Sequence, residues 1–279
     1  MAGTTRSEDF FSTEDGIKIY YQTLVPPKPK ALVLIVHGLA EHSGRYEDVA
    51  QFLAKQGYAV GRYDQRGHGK SEGPRAFAQS IEQLADDLHS LVHEYSEQYP
   101  KLKIFLLAHS FGGQVSVNYL AQNGKGVAGA VLSAPNLRVA VPISALKRWA
   151  GRLLQCVVPK LSLPVELSPE WISHDPKIVK AYREDKMVQK SITVRLGTAL
   201  LDNVEKIQTL AEKIKVPMLI LHGGGDLICS PEGSREFYQN LKAKDRHFKI
   251  YPGFYHEILN EIEKAKVYED VATWLDKRS

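Results

Sequence analysis

Short apolar runs that alternate with helical patterns constrain this chain more than any other feature. Residues 31–37, 58–63, 104–109, 127–133, 217–222 and 247–251 have the length and composition of β-strands. Most are apolar along their whole length, which suits a strand covered on both faces in the middle of a parallel sheet. Helical segments lie between them. The clearest is 80–99, where Ser80 and Gln83 have the spacing of a capping box and Ile81, Leu84, Leu88, Leu91 and Tyr95 share one face. Ahead of the first run, residues 10–23 read as an antiparallel hairpin turning at Glu14-Asp15-Gly16, at the edge of the sheet. The pattern predicts an α/β protein with a mainly parallel central sheet flanked by helices.

The alternation stops between 136 and 203. Pro142, Pro159, Pro164, Pro169 and Pro176 punctuate short helical patterns there, and no strand pattern is evident. One domain over 1–279 is expected, with a core of 1–135 and 204–279 and a helical cap inserted at 136–203. A chain of 279 residues buries enough surface to need no metal or disulfide staple. Its 36 basic and 32 acidic residues are interspersed, a balance of +4 that gives no footing for nucleic acid. The longest apolar run, 31–36, is far short of a membrane span of about 20 residues. The N-terminus lacks the apolar stretch of a signal peptide. A cytoplasmic protein is expected, with Cys156 and Cys229 as free thiols.

The chemistry is carried by Ile104-Phe105-Leu106-Leu107-Ala108-His109-Ser110-Phe111-Gly112-Gly113, a strand that passes through a serine into a helical stretch. A nucleophile on so sharp a turn needs small residues two positions to either side. Ala108 and Gly112 meet that requirement, with Ala108 in place of the glycine of the usual G-x-S-x-G pattern. A serine hydroxyl requires a base, and the base a partner to orient it. Asp226 follows Met218-Leu219-Ile220-Leu221-His222 and three glycines, and His256 follows the run that ends at Tyr251. Both fall just past strand ends, on the same edge of the sheet as Ser110. The order Ser110, Asp226, His256 is that of the α/β-hydrolases and not of the chymotrypsin or subtilisin classes. Acyl transfer also needs donors for an oxyanion, expected at the backbone N–H groups of Phe111 and Leu39.

At His37-Gly38-Leu39-Ala40-Glu41-His42-Ser43-Gly44-Arg45-Tyr46 and Asp64-Gln65-Arg66-Gly67-His68-Gly69-Lys70-Ser71 the chain resembles the monoacylglycerol lipase and lysophospholipase branch of the α/β-hydrolases, in the serine aminopeptidase S33 group. The likeness takes in Val158-Pro159-Lys160-Leu161-Ser162-Leu163-Pro164 and the surroundings of the triad. It implies a serine esterase without cofactor or metal that releases a fatty acid from monoacylglycerol through an acyl-enzyme. Lysophospholipid or a broader range of esters is the alternative substrate class. Ala108, Phe111 and Leu259 depart from the animal lipases of this branch, and His256-Glu257-Ile258-Leu259-Asn260-Glu261 is closer to its bacterial lysophospholipase-type relatives. A non-catalytic binding protein on the same scaffold is the rival from another class.

Residues 143–158 carry Leu146, Trp149, Leu153, Leu154 and Val157 at near-helical spacing, with Lys147, Arg148 and Arg152 among them. A helical apolar stripe is more often core, so packing over an acyl tunnel or the core is favoured over a lid in weak peripheral contact with a membrane. Leu146, Trp149 and Leu153, with Glu41 and Arg45, are candidate substrate-binding residues; mutual ion pairing is the favoured role of Glu41 and Arg45. Arg66 and His68 read as loop architecture, His89 and His93 as exposed helix histidines, and Cys229 as a small buried filler.

Overall fold

The computed structural model describes residues 3–140, 143–165 and 167–279; Pro142, one of the prolines read as breaks, lies outside them. The chain begins with the expected hairpin, β1 (Thr5–Ser12) and β2 (Lys18–Val25), paired antiparallel from Thr5↔Val25 to Ser12↔Lys18. Then come β3 (Leu32–Val36), β4 (Ala59–Tyr63), β5 (Ile104–His109) and β6 (Val127–Ser133). A separate short ribbon, β7 (Ser162–Pro164) and β8 (Ser191–Thr193), precedes β9 (Met218–Gly223) and β10 (Arg246–Tyr251). The main sheet has the order β1-β2-β4-β3-β5-β6-β9-β10 and is parallel from β4 to β10.

The helices are α1 (Glu47–Lys55), α2 (Ile81–Gln98), α3 (Phe111–Gln122), α4 (Ala145–Val157), α5 (Pro176–Glu184), α6 (Val194–Leu210), α7 (Pro231–Asn240) and α8 (Lys264–Asp276). The all-apolar strands have a direct cause. Leu32, Leu34 and Val36 of β3 pack with α2, α3, α6 and α7, whereas Val33 and Ile35 face α1 and α8. With a period of two, each face of the strand meets its own helix layer. At the start of α2 the Ser80 hydroxyl accepts from the Gln83 N–H, and the Gln83 side chain reaches back one residue further than a capping box requires, to the N–H of Gln79.

Between β6 and β9 the chain leaves the sheet to form α4, β7, α5, β8 and most of α6. The β7–β8 ribbon was not visible in the sequence, because three-residue strands are too short to show a period. α6 runs on past Asn203 to Leu210, and its Leu196, Leu200 and Ile207 join the core beneath. This roots the inserted segment in the main layer. α4 lies against α6, where Gly151 leaves room for Thr198 and Arg152 bonds Asp202 at 2.7 Å and Glu205 at 3.1 Å.

One expectation is overturned here. The apolar stripe of α4 does not pack into the core: no residue of the helix is buried, and Leu146, Trp149 and Val157 are 72%, 60% and 80% exposed. A second concerns His89, which is half-buried against Tyr119 at a ring separation of 5.8 Å; His93 is exposed as expected. Among the described residues no helix is long and apolar enough to cross a membrane.

Candidate active site

Four strand ends build the site. β5 delivers Ser110, β3 the loop 37–41, β9 Asp226 and β10 His256, and because these strands are parallel all four segments emerge on one edge of the sheet. Ser110 has φ +52° and ψ −117°, a left-handed conformation costly for a side chain with a Cβ, at the sharp turn from β5 into α3. Close packing explains the small neighbours. A Cβ on Gly112 would sit 2.3 Å from the carbonyl oxygen of Val36, and one on Gly38 would sit 3.3 Å from Cβ of Ser110. Ala108 is fully buried in the core, where its methyl group packs among the side chains under α3.

The structure brings Ser110, Asp226 and His256 together, all buried. Ser110 Oγ lies 2.9 Å from His256 Nε2, and His256 Nδ1 lies 2.7 Å from Asp226 Oδ2. The other oxygen of Asp226 accepts the N–H groups of Ile228 at 2.8 Å and Cys229 at 2.9 Å. Burial would raise the Asp226 carboxyl, but the charge and hydrogen bonds of His256 and His222 hold it well below the usual carboxylate range. His256 shows the opposite balance. Burial disfavours its charged form, yet the Asp226 charge and hydrogen bond, aided by Glu257 and Glu41, leave it above its ordinary 6.5. Beside it, ring to ring at 4.7 Å, burial and the His256 charge push His109 down to about 4.

The loop after β3 is held from several sides. His37 Nε2 accepts the Gln65 N–H at 2.9 Å, so Nδ1 carries the proton and donates to the Gly38 carbonyl at 2.7 Å. Gly38 N–H is taken by Glu41 at 2.6 Å. Among the described residues the N–H groups of Leu39 and Phe111, the two expected oxyanion donors, have no acceptor.

Glu41 and Arg45 take the ion-paired arrangement. Arg45 Nη1 bonds Glu41 Oε2 at 2.7 Å, and its two terminal nitrogens grip Glu257 at 2.7 and 2.8 Å. The Tyr46 hydroxyl donates to Glu41 at 2.6 Å, and Tyr182 of α5 stacks on the guanidinium at 4.7 Å. Burial would raise Glu41, but Arg45, His109 and His37 draw it down. The inserted segment closes on the same place. Trp171 and Ile172 accept the N–H groups of His256 at 3.4 Å and Glu257 at 2.8 Å, and Gln189 donates its N–H to Ala40 at 2.7 Å. The candidate substrate residues Leu146, Trp149 and Leu153 stand apart from this network, exposed on α4.

Arg66 joins Asp87 to Asp15 and His68 is buried, both as loop architecture. Cys229 is fully buried and Cys156 exposed, both free. Donor atoms of Asp226, Cys229 and His256 lie within 4.8 Å of one another, a spacing open to a metal ion, but both His256 nitrogens already serve Asp226 and Ser110. Sequence reasoning missed His37, Gln65, His222 and Glu257. His222 carried a signal, a second histidine four residues before Asp226 at a strand end; Glu257 carried none, its partner Arg45 being 212 residues away.

A family model described as serine aminopeptidase, S33 matches residues 27–263. The chain is 33% identical over 278 residues to a monoacylglycerol lipase of Mycolicibacterium smegmatis, covering 99% of each. It is 34% identical over 257 residues to human monoglyceride lipase, covering 90% of this chain and 84% of that one. The crystal structure of Paleococcus ferrophilus monoacylglycerol lipase matches with a TM-score of 0.83 at 34% identity over 99% of both chains. A soluble variant of the Saccharomyces cerevisiae monoglyceride lipase shares the fold, with a TM-score of 0.90 at 23% identity, covering 100% of this chain and 97% of that one.

Proposed function

The chain belongs to the serine aminopeptidase S33 family of α/β-hydrolases, and on that footing we propose that it is a serine esterase releasing a fatty acid from monoacylglycerol, with Ser110 as nucleophile. The observation that carries this reading is the continuous hydrogen-bonded chain from Ser110 Oγ through His256 to Asp226, at 2.9 and 2.7 Å. Ser110 attacks the ester carbonyl while His256 Nε2 takes its proton. The carbonyl oxygen becomes an oxyanion, met by the free N–H groups of Leu39 and Phe111. His256 then gives its proton to the departing glycerol, which leaves an acyl-Ser110 ester. Water, activated by His256, hydrolyses that ester to the fatty acid. Asp226 stays ionised throughout and holds the imidazole in one orientation.

The inserted segment is proposed as a cap over this site, and α4 as its contact with a lipid surface. Its exposed apolar face, with Lys147 beside it while Arg148 and Arg152 pair with Glu205 and Asp202 of α6, has the make-up of a helix that lies in a membrane interface. The same residues Leu146, Trp149 and Leu153 would then meet substrate on its way from the lipid.

Parallel fatty-acid release assays on monoacylglycerol, lysophosphatidylcholine and diacylglycerol test the reading, with Ser110→Ala as the blank. Monoacylglycerol should turn over fastest, and Ser110→Ala should lower kcat by more than about a thousandfold. Faster release from lysophosphatidylcholine would assign the lysophospholipase activity instead. Failure of fluorophosphonate to label Ser110 in the folded protein would point to a binding protein.

A further inference from the structure

Asp226 has a second histidine on it. His222, the penultimate residue of β9, is fully buried, and its Nε2 lies 3.1 Å from Asp226 Oδ2, the same oxygen that receives His256 Nδ1. Nε2 also lies 3.1 Å from the carbonyl oxygen of Cys229. Both neighbours are acceptors only, so Nε2 must carry a proton. On the far side of the ring, Nδ1 is 2.7 Å from the hydroxyl of Ser234, a fully buried residue of α7. A hydroxyl can donate there, which lets the ring remain neutral and sets it in a single orientation.

From this geometry we infer that His222 is a positioning residue for the triad: its Nε2–H, fixed by Ser234, orients the Asp226 carboxylate toward His256. The inference rests on the esterase reading for its consequence and on hydrogen-bond geometry for its substance. The two N–H donors of Ile228 and Cys229 hold Oδ1 alone. Without His222, Oδ2 would keep only the bond to His256, and the carboxylate could rotate about its Cβ–Cγ axis. A rotation of that kind misaligns the imidazole, and groups that orient a catalytic ligand from behind typically matter about ten- to a hundredfold in activity. Ser234 belongs to a different element from Asp226 and His222, so the orientation is imposed by the packing of α7 on the sheet and not by the loop itself.

Three variants test it: His222→Leu, which removes the donor; His222→Gln, whose amide nitrogen can replace Nε2–H; and Ser234→Ala, which releases the ring. Two measurements are made on each. One is kcat and KM for a soluble ester, and the other is the low-field proton resonance of the His256 Nδ1–H···Asp226 bond. In His222→Leu, kcat should fall about ten- to a hundredfold with KM within about twofold, and the resonance should shift or be lost. His222→Gln should restore both, and Ser234→Ala should lie between. An unchanged resonance and kcat in His222→Leu would overturn the inference. So would a His222→Gln protein as impaired as His222→Leu, since that pattern reports shape at the site and not the donor. Were the wild-type protein to release no fatty acid, the functional reading would fail by itself, and the resonance would still decide the role of His222.

Discussion

His256 is buried, and burial by itself would make it a weaker base. The charge of Asp226, with Glu257 and Glu41 behind it, reverses that and sets its proton affinity above the ordinary 6.5 of a histidine. The sign for activity follows. The attacking step needs neutral His256, so kcat/KM falls as pH is lowered through the raised value, and the acid limb should lie above 6.5. Glu257→Gln removes one charge that raises His256, which moves the limb toward lower pH. A pH profile of kcat/KM on a soluble ester measures this, and a limb that does not move would exclude Glu257 from the electrostatics of the base. Ser110, Asp226 and His256 could be picked out from the sequence because each follows a strand end and their order is diagnostic. Glu257 could not, since its meaning lies in a bond to Arg45, in a loop far away in the chain.

At the scale of elements, α4 illustrates what periodicity can and cannot tell. Its apolar positions gave the helix correctly, but an amphipathic stripe looks the same whether it faces protein or lipid, and the favoured core reading failed. The central strands were legible because a run covered on both faces is apolar along most of its length. The hairpin at the edge was legible through its turn. The β7–β8 ribbon was too short to leave a trace. Membrane contact through α4 predicts that Trp149→Ser with Leu153→Ser abolishes sedimentation with phosphatidylcholine–phosphatidylglycerol vesicles. Turnover of a short soluble ester should be retained. Both side chains are at least half exposed, at 60% and 51%, so stability should change by no more than about 0.5 kcal/mol per site. Vesicle binding equal to wild type would remove α4 as the contact.

For the molecule as a whole, Arg45 is the joint at which three separate parts meet: the loop after β3, the loop after β10 and, through Tyr182, the inserted segment. Its guanidinium pairs with two carboxylates that are both buried. Replacing one partner of such a group leaves charge buried without compensation, so Arg45→Met should cost about 3–5 kcal/mol of stability, read as a lower denaturation midpoint. Adding Glu41→Gln and Glu257→Gln should recover most of that loss; a triple variant no more stable than Arg45→Met would show that shape, and not charge, is what Arg45 supplies.

The carbonyl groups of Trp171 and Ile172, which accept the N–H groups of His256 and Glu257, have a consequence for anyone who wishes to exchange substrate ranges between relatives. They belong to the inserted segment, yet they hold the backbone of the base. A chimera that transplants the whole insertion replaces part of the catalytic scaffold along with the lid. A graft limited to α4 and its partners on α6, with Trp171 and Ile172 left native, would carry over the lipid-facing surface alone.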